Sequence, residues 1–119
     1  KANFVGAGYG LENKNDGWED KVDIVPSRGP EAAAAGKVAL DAWRALRCRD
    51  GGRVDIRCDG ASTPHFIEVN PLAGLRPGPS DLCFIAEFAG LTYQDLIAAI
   101  MASFFQRHPE LASLRRAAE

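Results

Sequence analysis

The sequence predicts an α+β fold, a small and largely antiparallel sheet flanked by helices. Residues 53–57 and 66–70 alternate apolar and polar side chains with the period of a strand, and a turn-rich segment joins them. Residues 31–47 place Val38, Ala39, Ala42, Trp43 and Leu46 at helical spacing in an alanine-rich run. Residues 80–89 and 93–106 read as two further helices, each opened by a hydroxyl-bearing capping residue, Ser80 and Thr92.

Taken in order, the first sixteen residues carry Gly6, Gly8, Gly10, Asn13, Asn15 and Asp16 and read as loop. The glycines follow no convincing strand and open no obvious helix. They also lack a Gly-Lys-Ser/Thr ending, so neither a dinucleotide fingerprint nor a P-loop is indicated. Residues 18–25 alternate enough for a strand with Val22 and Ile24 on one face. Pro26, Ser27, Gly29 and Pro30 break the chain, and Pro30 suits the first turn of the helix that follows. Asp50-Gly51-Gly52 reads as the stop of that helix. Asp59, Gly60, Ser62 and Pro64 supply the turn between the two strands. A Pro/Gly-rich loop covers residues 71–79, Gly90 ends the helix begun at Ser80, and Pro109 opens a last short helix.

The 119 residues suffice for one domain with a core of its own. There is no internal repeat, low-complexity linker or domain boundary, so residues 1–119 read as a single domain or fragment. A formal charge of -2 with scattered basic residues gives no reason to expect nucleic acid or an anionic membrane as partner. No transmembrane-length stretch or signal peptide is visible. Cys48, Cys58 and Cys83 form no C-x-x-C pair, which fits three reduced thiols in a cytoplasmic protein. The chain begins at Lys1 in a glycine-rich segment, and it is expected to be a piece of something longer.

The hairpin carries the chemistry. With a turn centred between Ala61 and Ser62, Val54 falls opposite Val69 and Ile56 opposite Ile67, which buries the four aliphatics together. The same register sets Asp55 across from Glu68 and Arg53 across from Asn70. Like charges facing one another on a sheet are destabilising, so two opposed carboxylates call for a proton, an arginine or a divalent cation between them. With the amide oxygen of Asn70 the set is all-oxygen, suited to Mg²⁺ or Mn²⁺. Arg53 would offer a planar donor fork to a phosphoryl or acyl-phosphate oxygen. Alternation alone favours a solvated polar face, with Arg53 and Arg57 paired to the acids, over a metal site. Farther along, Gly74 can present a backbone N–H as an oxyanion-type donor, or be a turn residue. Ser80 can meet a substrate carboxylate at a helix start, or be an ordinary cap.

Gly52-Arg53-Val54-Asp55-Ile56, Phe66-Ile67-Glu68-Val69-Asn70-Pro71-Leu72-Ala73-Gly74-Leu75 and Ser80-Asp81-Leu82, in this order and spacing, resemble the end of an ATP-grasp enzyme, closest to the D-alanine–D-alanine ligase family. The resemblance covers roughly residues 14–106. It implies the C-terminal catalytic lobe of an ATP-dependent carboxylate–amine ligase, working through an acyl phosphate in peptidoglycan synthesis. It further implies ATP and Mg²⁺ (or Mn²⁺) as cofactors, with Asp55, Glu68 and Asn70 holding two cations and Glu68 bridging them. Arg53 and the Gly74 N–H would stabilise the tetrahedral intermediate, Ser80 and the Leu82 backbone would lie near the carboxylate of the attacking amino acid, and Lys14 would sit in a loop over the nucleotide. The expected partners are ATP, amino-acid substrates, the N-terminal and central lobes that this stretch lacks, and a second copy in a homodimer. Ala73 stands where the family's motif usually has proline. Without the other lobes the chain is expected to be inactive, and the alternative is a non-catalytic ATP-grasp-like binding or assembly module.

Overall fold

The structure is a computed structural model that describes residues 25–78, 80–111 and 113. The loop expected over residues 1–16, with Lys14, lies outside the described residues, as does the strand expected over 18–25 apart from Val25. Among the described residues the order is α1 (Pro30–Ala45), β1 (Arg53–Cys58), β2 (Pro64–Asn70), α2 (Asp81–Phe88), α3 (Tyr93–Arg107) and a 3₁₀ turn at Pro109–Leu111. The two strands pair antiparallel, α1 packs across both, and α2 packs against α3. The expected α+β architecture is what the chain adopts.

α1 begins with Pro30 in its first turn, as expected. It ends earlier than the Gly51-Gly52 pair suggests. Arg47 takes the left-handed conformation (φ 55°), the Cys48 N–H reaches back to the Trp43 carbonyl and the Arg47 N–H to that of Arg44. This is a Schellman ending with arginine in the position usually given to glycine. α2 closes the same way, with Gly90 at φ 78° and the Leu91 N–H on the Ala86 carbonyl.

The hairpin differs from the expected register in one respect. Arg53 pairs with Asn70, Val54 with Val69 and Asp55 with Glu68, but Ile56 faces Phe66 and not Ile67. The turn has three residues between Asp59 and Thr63, with Ser62 left-handed at φ 60°, and not the even number assumed. Asp59 shapes it by accepting the N–H groups of Ala61 and Thr63, both at 2.9 Å. An odd turn would put the acids out of phase. A bulge that leaves Ile67 without a partner restores the phase before Asp55. The four aliphatics are therefore not buried together: Ile67 is 57% exposed, and Phe66 takes its place opposite Ile56.

Among the described residues the buried centre is small. Ala73, Leu82, Cys83, Ala86 and Leu96 form it, with Leu75 and Ile100 packed alongside, so it joins the loop after β2 to α2 and α3. Arg107 near the end of α3 pairs with Asp50 at 2.6 Å and lowers that carboxyl's pKa, chiefly through the hydrogen bond. No single helix among the described residues is long and apolar enough to cross a membrane; α2 and α3 pass only as a pair, bent by 103°.

α3 starts with a capping box: the Thr92 hydroxyl accepts the Asp95 N–H at 3.1 Å, and Asp95 accepts the Thr92 N–H at 2.9 Å. Thr92→Ala should cost about 1 kcal/mol of stability. The bonds from the Thr92 hydroxyl and then its backbone N–H hold the Asp95 pKa below the ordinary value. A depressed folded-state pKa means the contribution is complete above the unfolded value and is lost as pH falls through the folded one. Thermal midpoints measured from neutral pH into the acid range should draw closer for wild type and Thr92→Ala without meeting, because the Asp95 N–H bond to the Thr92 hydroxyl does not titrate. A gap that stays constant to low pH would contradict this.

Candidate functional site

Two of the expected site residues, Asp55 and Glu68, gather around one cation, the Arg53 guanidinium. β1 brings Arg53 and Asp55 to the polar face by simple alternation, and the register brings Glu68 opposite Asp55. Arg53 Nε donates to Asp55 Oδ1 at 2.7 Å, and Nη2 donates to Oδ2 at 3.1 Å, a bidentate grip. Glu68 Oε1 lies 3.6 Å from Nη2. Nη1 donates to Asp81, the first residue of α2. Of the three ways to reconcile opposed acids, the structure shows arginine.

The Arg53 side chain is 20% exposed, against 38% for Asp55 and 62% for Glu68. Hydrogen bonding to Asp55, followed by the nearby charges of Asp55, Asp81 and Glu68, raises the Arg53 pKa further despite partial burial. The guanidinium is a fixed positive charge. The acids keep an open side toward solvent.

Asn70 stands across from Arg53, and its amide oxygen accepts the Leu72 N–H at 3.3 Å, which starts the turn after β2. The loop then folds back on the start of α2. A Cβ added at Gly74 would lie 3.1 Å from the Ser80 Oγ, so the two residues expected to handle substrate are neighbours. Ser80 is the N-cap residue of α2, but its hydroxyl makes no capping bond. Its carbonyl accepts the Cys83 N–H at 2.9 Å. The Leu82 side chain is buried in the core, which leaves only its backbone for a ligand. Arg57, the other candidate partner for the acids, is exposed.

Asp81 is the site residue that sequence reasoning missed. An acid in the first turn of a helix is explained well enough by the helix dipole, and nothing in the pattern pointed to Arg53. Through Asp81 the hairpin set and the Gly74–Ser80 set become one site. Among the described residues no three or more His, Cys, Asp or Glu side chains converge as a metal cluster; the oxygen set here is two carboxylates and one amide. That chemistry fits a hard divalent cation with open positions for other oxygens.

A profile of the D-ala D-ala ligase C-terminus family matches residues 7–102. The chain belongs to this family. Among curated family relatives, the D-alanine–D-alanine ligase of Nitrosococcus oceani is 34% identical over 70 residues, 59% of this chain and 22% of that protein. That of Rhizorhabdus wittichii is 41% identical over 76 residues, 59% of this chain and 23% of the relative. That of Marinobacter nauticus is 39% identical over 64 residues, 54% and 19% respectively. The chain thus spans only about a fifth of the length of the curated relatives it matches. No solved structure matches it significantly.

Proposed function

We propose that this chain is the C-terminal catalytic lobe of an ATP-dependent carboxylate–amine ligase of D-alanine–D-alanine ligase type, acting in the cytoplasm and inactive by itself. The observation that carries the reading is the cross-strand set of Arg53, Asp55, Glu68 and Asn70 in a member of this family.

In this reading Asp55, Glu68 and Asn70 would hold Mg²⁺ (or Mn²⁺), and Lys14, which lies outside the described residues, would serve the nucleotide. When bound, the cation neutralises the phosphates of ATP as the carboxylate substrate is phosphorylated. The chain's own groups do the rest by position and charge. The Arg53 fork donates to an oxygen of the reacting centre, where negative charge builds as the amine attacks and phosphate leaves. The Gly74 N–H adds a second donor to that oxygen. The Ser80 hydroxyl, left free of capping, and the Leu82 N–H, in the first helical turn where such groups have no intrahelical acceptor, receive the carboxylate of the amine-bearing amino acid.

The need for further lobes draws support from the surface. Leu40 of α1 (55% exposed) and Ile85 of α2 (51% exposed) flank a cavity of about 360 Å³ beside Arg53, with Trp43, Val54 and Leu82 in its wall. A groove with exposed apolar walls offers a surface against which a further lobe can pack.

The test is complementation. Mixed with, or fused to, the N-terminal and central lobes of a relative, the chain should support D-alanine-dependent ADP formation; alone it should give none. ATP binding without amino-acid-dependent turnover in the completed protein would favour a binding or assembly module.

A further inference from the structure

Arg53 faces a conflict that Asp81 resolves. Its guanidinium grips Asp55 with two hydrogen bonds and approaches Glu68, the same two acids assigned above to a divalent cation. An arginine held by those two alone would compete with the cation for them. It would also lose its place once the cation took them. Asp81 offers Nη1 a third carboxylate that comes from α2 and not from the hairpin.

An acid serving only the helix dipole needs no particular partner. Here the Asp81 carboxylate, 46% exposed, is turned onto a guanidinium that is itself 20% exposed. It reaches Arg53 from the residue directly after Ser80, where substrate is expected. We infer that Asp81 is a positioning residue: it anchors Arg53 at the α2 N-terminus, so that Asp55 and Glu68 are free for the cation while the guanidinium stays aimed at the reacting centre. This rests on the proposed role of Asp55 and Glu68.

Direct Mn²⁺ titration, followed by the electron paramagnetic resonance signal of free Mn²⁺, tests it in the complete protein beside kcat. Asp81→Asn keeps the shape and removes the charge. It should weaken Mn²⁺ binding roughly tenfold, as loss of a supporting partner commonly does, and lower kcat. Asp81→Glu should recover much of both. In an Arg53→Met background, where no guanidinium competes, Asp81→Asn should leave Mn²⁺ binding unchanged. If Asp81→Asn binds Mn²⁺ like wild type, or weakens it equally in the Arg53→Met background, Asp81 is a helix-end acid and the inference is overturned. If the wild-type protein binds no Mn²⁺, the cation role of Asp55 and Glu68 falls, and this inference with it.

Discussion

Glu68→Gln in the complete protein is expected to abolish ATP-dependent phosphate release while leaving the fold as it is. Glutamine preserves the volume and one acceptor oxygen and removes the charge. In the folded chain the Glu68 side chain is 62% exposed, and its charged partner is Arg53 Nη2 at 3.6 Å, too far for a good hydrogen bond. An exposed pair of that kind contributes at most about 1 kcal/mol, so thermal unfolding should barely move. Activity should fall by about 10³-fold or more, because the lost charge is one meant to hold the cation against the phosphates. Asp55→Asn cannot make this separation, since Asp55 also grips Arg53 through two hydrogen bonds and its loss would release the guanidinium. Near-normal turnover in Glu68→Gln, with an unchanged melting temperature, would mean that the polar face of the hairpin is a solvated surface and that the catalytic reading is wrong.

The site end of the hairpin was legible from alternation because burying Val54 against Val69 leaves Asp55 and Glu68 no other arrangement. The turn end was not. Composition predicts that a turn is present but does not count its residues, and Ser62 at φ 60° has none of the glycine that usually marks a left-handed position. The bulge at Ile67 then conceals the error from the site, since one odd turn and one extra residue cancel. The helix ends divide likewise: Gly90 announces its Schellman turn, whereas Arg47 adopts the same conformation without notice. Gly74 and Ser80 were each legible as candidates, but their contact depends on how the loop between them folds back, which no local pattern encodes. Asp81 was hidden because a generic physical role already accounted for it.

Gly52 shows how a correct signal can carry the wrong meaning. Its place after Asp50-Gly51 suggested a helix stop, yet the helix is over seven residues earlier, at Ala45. What Gly52 supplies is space. A Cβ there would lie 2.5 Å from Trp43 Cη2, 2.7 Å from Cζ3 and 2.6 Å from the Asn70 carbonyl oxygen. The indole of α1 thus presses directly on the backbone where β1 begins and β2 ends, one residue from Arg53 and at Asn70 itself. Gly52→Ala cannot be absorbed by moving one side chain, because the carbonyl belongs to the partner strand. Either the strands part at the site end or α1 lifts from the sheet. Overpacking of this kind costs about 1–3 kcal/mol, a large share of the margin by which a folded domain is stable. Separation of Arg53 from Asn70 by even an ångström should lower turnover by about 10²-fold in whatever protein remains folded. Chemical denaturation and kcat of the complete protein measure the two effects separately. Trp43→Leu, added to relieve the indole contact, should restore part of the stability but little of the activity, since the Asn70 carbonyl would still be displaced. If Gly52→Ala alone matched wild type in both, the close approach of Trp43, Gly52 and Asn70 would not be what sets the geometry of the site.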